Sequence, residues 1–173
     1  MFALAVVAAV GTSESLAQQP LPAAPNVVAI TPRLVTSGQP SAKALAALGA
    51  QGFGADIYLA PPTVSDAVRD EALIVGRQGI VFVNIPMDFD NPTEQDYETF
   101  AAVLGALSGR RVLVHCQVNL RASSMVFLYR VIARKEDPHV AYEAVTGVWK
   151  PEGPWKRLIQ DLLRKHSVAF ELY

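Results

Sequence analysis

Apolar residues recur along the chain in two rhythms. Residues 27–30 and 33–36 have the short period of strands and flank Thr31-Pro32, which predicts a hairpin-like entry. Ser37-Gly38-Gln39-Pro40 leads into a predicted helix over 41–51, with an apolar stripe at positions 42, 45, 46 and 48 and a stop at Gly52. A strand over 55–60 ends at Pro61-Pro62 and contains Asp56, a charge that the buried pattern does not explain. Next come a helix over 65–77 stopped by Gly79, a β-branched and aromatic strand over 80–86, and an acidic loop over 87–92. Thr93 and Asp96 then open a helix reaching residue 107 in the manner of a capping box. The run 110–115 suits a buried strand, and 121–135 is apolar nearly all round, as a central buried helix is. Helices over 137–148 and 155–166, parted by a turn over 150–154, complete the pattern. Strands alternating with helices predict an α/β fold, a central parallel or mixed sheet with helices on both faces.

Composition narrows this. The chain has 173 residues, 51% of them hydrophobic, enough for one domain with a substantial core. A net charge of −1 points neither to nucleic acid nor to a membrane surface. Lys and Arg number 4 against 10 Asp and Glu in residues 1–100, and 11 against 6 in residues 101–173. The C-terminal part is therefore the basic one, as an anionic substrate would prefer. A single cysteine excludes an internal disulfide framework. His115, His139 and His166 show no metal-ligand spacing, so neither a metal nor another cofactor is expected. Residues 2–10 are uniformly apolar but too short to span a bilayer, so no stable membrane span is expected. Ser15-Leu16-Ala17 before Gln18 offers the small residues of a signal-peptidase site. The expected organisation is a signal peptide over 1–17, a flexible Pro-rich leader over 18–25 and one domain over 26–173, periplasmic or secreted. If the first segment is not a signal, the protein is cytoplasmic.

The chemistry concentrates in residues 110–124. An apolar strand turns at Cys116 and the chain re-enters order at Arg121, which opens a helix. That places a thiol in a loop before a helix N-terminus, beside a fixed cation. Each of these stabilises an anion, so the stretch reads as a site for nucleophilic attack on a negatively charged group.

Val112-Leu113-Val114-His115-Cys116, a short loop and Arg121 resemble the phosphate-binding loop of cysteine-dependent phosphatases of the tyrosine and dual-specificity class. Ser37-Gly38-Gln39-Pro40, the strand ending Asn84-Ile85-Pro86, the acidic loop and Trp149-Lys150-Pro151 are similar to small bacterial members of that superfamily. The resemblance covers roughly residues 26–165 and implies a protein tyrosine phosphatase-like fold acting on a phosphorylated protein or small molecule. It also implies a two-step mechanism. Cys116 attacks as thiolate and forms a cysteinyl-phosphate. Arg121 grips two phosphoryl oxygens, and the N–H groups of Gln117, Val118, Asn119, Leu120 and Arg121 supply the rest of the cradle. An aspartic acid of the acidic loop protonates the leaving oxygen: Asp90 in first place, Asp88 in second. His115 supports the loop by hydrogen bonds.

The loop departs from the pattern. The family has five residues between cysteine and arginine, usually with a glycine; here there are four, and Asn119 stands where the left-handed backbone is needed. The hydroxyl expected directly after the arginine is replaced by Ala122, with Ser123 one position later as the supporting hydroxyl. A loop of this length is similar to that of rhodanese-type sulfurtransferases, where Cys116 would carry a persulfide. A third reading is a non-catalytic anion- or partner-binding domain of the same fold.

Overall fold

The structure, a computed structural model, describes residues 20–173. The signal-peptide segment 1–17 lies outside the described residues. Five strands form one mixed sheet: β1 (Val28–Thr31), β2 (Leu34–Ser37), β3 (Ala55–Tyr58), β4 (Val81–Asn84) and β5 (Val112–His115), in the order β1-β2-β5-β3-β4. β1 runs antiparallel to β2 and the other pairings are parallel. β5 is therefore central, buried at every position, and carries its C-terminal residue to the carboxyl edge of the sheet, where open α/β sheets bind ligands.

The helices are α1 (Ala42–Leu45), α2 (Glu71–Gly76), α3 (Glu94–Ala106), α4 (Leu120–Leu128), α5 (Pro138–Thr146) and α6 (Gly153–Lys165). α1 and α2 cover one face, closing a core of Val35, Leu45, Leu48, Phe53, Val75, Ile80 and Leu113. The larger core lies on the other face, around α4, with Phe100 of α3, Tyr142 of α5 and Trp155 of α6 fully buried beside it. α4 is buried from Arg121 to Leu128, as its apolar sequence demands. The expected capping box at Thr93 and Asp96 is present, each side chain accepting the other's backbone N–H.

Three helices are shorter than their periodicity suggests. α1 stops at Leu45 because Gln78, from beyond α2, donates to Leu45 O and accepts from Gly49 N, each at 2.9 Å. A distant side chain thus satisfies the end of the helix. Before α2, residues 61–71 run through successive three-residue turns, Val64 N to Pro61 O, Ala67 N to Val64 O and Glu71 N to Val68 O. These turns, not a helix, place Asp66. α4 passes into a π-helical segment, Tyr129–Ala133, where Arg130 is buried against Glu136 (2.7 Å) and Ala141 O (3.2 Å).

The Pro-rich stretch, expected to be flexible, is tied down from Pro20 onward. Arg111 Nη2 donates to Pro20 O at 3.1 Å, and Gly38 N donates to Pro25 O at 2.7 Å.

Candidate active site

The loop from Cys116 to Arg121 bridges β5 and α4, and its shape is set from below. Asn119 is fully buried in the left-handed region at φ 72°, the conformation that residue was expected to supply. Its Nδ2 donates to Asn26 O at 2.6 Å and to Thr36 Oγ1 at 3.0 Å. Asn26, itself at φ 48°, returns the contact through Nδ2 to Val118 O at 3.0 Å. The two asparagines clamp the turn reciprocally. Ser37-Gly38-Gln39 completes the clamp: Gln39 N donates to Gln117 O at 2.9 Å. A Cβ on Gly38 would stand 2.7 Å from that carbonyl, so only glycine lets the backbones approach.

On the open side of the loop, Asp66, Phe89, Cys116, Gln117, Val118, Leu120 and Arg121 line a cavity of about 280 Å³. Arg121 opens α4 and is buried, with Nε donating to Met87 O at 3.2 Å and the guanidinium carbon 5.0 Å from the centre of the Phe89 ring. Its Nη1 donates to Gln117 Oε1 at 3.4 Å, and Gln117 Nε2 donates to Asp66 Oδ1 at 2.9 Å. A polar relay thus runs from the arginine to the rim. The cavity faces the first turn of α4, whose N–H groups lack intrahelical partners. A thiol, a guanidinium and a helix N-terminus in one pocket form a receptor for a tetrahedral oxyanion.

Phe89 is held by two indoles. Trp155 Nε1 donates to Phe89 O at 2.9 Å, and the Trp149 and Trp155 rings lie 6.0 and 5.9 Å from the Phe89 ring. The proline-glycine turn between the tryptophans therefore braces the acidic loop. Within that loop Asp88 and Asp90 are exposed, and Asp88 Oδ1 accepts the N–H of Asp90 at 2.9 Å. Neither lines the cavity; they flank Phe89, which does. Ser123 is buried and donates to Leu120 O at 3.2 Å, so its hydroxyl serves the first turn of α4.

His115 lies behind the loop. Ser37, His115, Tyr58 and Asn84 stand in register across the four parallel-paired strands. The imidazole stacks on Tyr58, ring centres 4.8 Å apart at 19°. Its Nε2 lies 3.2 Å from Asp56 Oδ1 and 2.9 Å from Glu71 Oε1, all three side chains buried. This accounts for the charge inside β3. Burial disfavours the imidazolium, but Asp56 and then Glu71 outweigh it and push His115 up to about 10; burial raises the Asp56 carboxyl, opposed by His115. The hydrogen bonds expected from His115 to the loop are not made: neither ring nitrogen has a partner there, and the imidazole sits instead within this charged cluster.

The sequence had supplied Cys116, Gln117, Val118, Leu120 and Arg121 as pocket residues and Asn119 as its turn. It had not supplied Asp66, Phe89 or the partners of His115. Glu71 and Asp66 come from segments whose pattern carries no chemical signal; only the misplaced Asp56 hinted that a partner existed.

Residues 27–153 match the family described as DSP-PTPase phosphatase fused to NAD+ kinase. A putative phosphatase (DUF442) from Shewanella putrefaciens CN-32 is similar over 83% of this chain and 92% of its own, with 31% identity and a TM-score of 0.76. Tk-PTP in its active form is similar over 84% and 99% (19% identity, TM-score 0.65). TpbA of P. aeruginosa, as a cysteine-to-serine variant in complex with pTyr, is similar over 83% and 85% (19% identity, TM-score 0.62). No curated protein matches the sequence.

Proposed function

The chain belongs to the DSP-PTPase phosphatase family, and on that premise we propose that it hydrolyses phosphoesters through a cysteinyl-phosphate on Cys116. The observation that carries this reading is the single cavity edge shared by Cys116, Gln117 and Arg121 at the carboxyl end of β5. A phosphoryl group enters with two oxygens on the Arg121 guanidinium and the third on the N–H groups of the loop. The Cys116 thiolate attacks phosphorus in line, and the ester oxygen leaves with a proton from Asp90, Asp88 being second in line. Phe89, which lines the cavity and is braced by Trp155, lies between the two in the chain. Water then attacks the cysteinyl-phosphate, returning the proton to the same carboxylate. Asp66 acts on this site through Gln117, whose amide it orients toward Arg121.

The proposed substrate is a phosphorylated side chain or small phosphoester, with an aryl phosphate as the first choice. A phosphorylated side chain or small phosphoester reaches Cys116 past Phe89 and Val118, the latter 45% exposed, and the pTyr complex of TpbA favours an aryl phosphate. The test is hydrolysis of an aryl phosphate under reducing conditions. Cys116→Ser abolishes it and Asp90→Asn or Asp88→Asn strongly reduces it if the proposal holds. Turnover that survives Cys116→Ser, or thiosulfate-to-cyanide sulfur transfer without phosphate hydrolysis, overturns it. We propose that the mature protein is periplasmic or secreted, a reading supported by the small-residue sequence before Gln18.

A further inference from the structure

The cluster of Asp56, Glu71 and His115 has the donor set of a metal site. Its ligand atoms, one imidazole nitrogen and two carboxylate oxygens, lie within 4.8 Å of one another and all three residues are buried. At 2.9 and 3.2 Å the carboxylate oxygens are near the His115 Nε2, yet neither makes a hydrogen bond of good geometry with it. Both oxygens of Asp56 and Glu71 Oε1 have no hydrogen-bond partner. The other oxygen of Glu71 accepts from Gln39 Nε2 at 3.0 Å, which orients the carboxylate and leaves Oε1 turned into the cluster. Among the described residues no lysine or arginine pairs with Asp56 or Glu71. Burial opposes the ionisation of Asp56, and two carboxylates about one imidazolium would leave a net negative charge in a dry interior, which is costly. A divalent cation beside neutral imidazole balances it to zero. In a tetrahedral site with bonds of about 2.1 Å the ligand atoms sit about 3.4 Å apart, close to the separations seen. A cavity of about 150 Å³, bordered by Tyr58, Val68, Arg69, Phe82 and Asn84, reaches Glu71.

We propose that Asp56, Glu71 and His115 form a buried binding site for a first-row divalent cation of the zinc class, immediately behind the Cys116 loop. Mixed imidazole and carboxylate ligation suits zinc, manganese or ferrous iron rather than calcium or magnesium. Binding displaces the imidazole proton to solvent and leaves a fourth coordination position for water.

The experiment uses the full chain carrying Cys116→Ser, so that the thiol cannot bind metal, after removal of metals by a chelator. Titration with Co2+ is followed by absorption and with Zn2+ by calorimetry. One equivalent of Co2+ with the intense visible bands of a four- or five-coordinate ion is expected. Zn2+ at 100 times its dissociation constant should raise the melting temperature, equivalent to about a hundredfold shift in the folding equilibrium. Glu71→Gln should weaken binding at least about tenfold and Asp56→Leu should abolish it, while His139→Ala with His166→Ala leaves it intact. Unchanged Co2+ bands in folded Asp56→Leu overturn the proposal. So does a parent melting temperature indifferent to Zn2+, which needs no further variant and holds even if Asp56→Leu fails to fold.

Discussion

The two sides of the Cys116–Arg121 loop are built on opposite plans. On the inner side the loop is held by neutral side chains and is over-determined: buried Asn119 and Thr36, exposed Asn26 and the close approach of Gly38 fix the backbone. The outer side is charged and partly exposed, and each link is single: Arg121 to Gln117, Gln117 to Asp66, Arg121 over Phe89. Shape is thus stored chiefly in the buried Asn119–Thr36 contact, and reactivity sits where a ligand can displace the existing contacts. The difference teaches that a loop one residue short of the usual phosphatase count keeps its form because the left-handed residue is anchored by its own side chain. A glycine would supply the same φ with no anchor.

That contrast can be broken side by side, with activity for the outer face and stability for the inner one. Arg121→Lys on the outer side should lower aryl-phosphate kcat/KM by about 10³, since a point charge cannot match two phosphoryl oxygens, with little change in melting temperature. Asp90→Asn should lower kcat by about 10² for a poor leaving group and far less for an activated aryl ester, again without loss of stability. Comparing the two esters separates proton transfer from a change in loop structure.

On the inner side the expected losses invert. Asn119→Ala forfeits two hydrogen bonds and forces alanine to positive φ, so urea unfolding should show a loss of about 2–4 kcal/mol. Asn119→Gly relieves the backbone cost and should lose about 1–2 kcal/mol, so the difference between the variants measures the strain. The smallest effect is expected at Asp66→Asn. It should raise KM for aryl phosphate less than about fivefold, because the exposed carboxylate acts on Arg121 only through Gln117.

The same contrast explains what could be read from the sequence. The strand order of chemistry, the Cys116 turn and the need for a left-handed residue at Asn119 are local properties and were legible. So was the alternation that makes an α/β sheet, whereas the strand order with β5 at its centre was not. Asp66 and Glu71 were not, because stacked three-residue turns carry them to the site and such turns look helical in an apolar pattern. α1 ends where Gln78 reaches across to cap it, and nothing near Leu45 announces that. Asp56 was legible only as an anomaly; its partner Glu71 lies 15 positions on along the chain, across a turn the pattern does not define.

The central claim is that the outer face of this loop carries covalent phosphoryl transfer on Cys116. The direct test is rapid acid quenching of the protein, with Asp90→Asn to slow breakdown, during turnover of a labelled aryl phosphate. Peptide mass spectrometry then locates the label. The account predicts phosphate on Cys116 that appears within the first turnover and decays as product forms. Aryl-phosphate turnover with no phosphocysteine at any quench time, or with label on another residue, would contradict it.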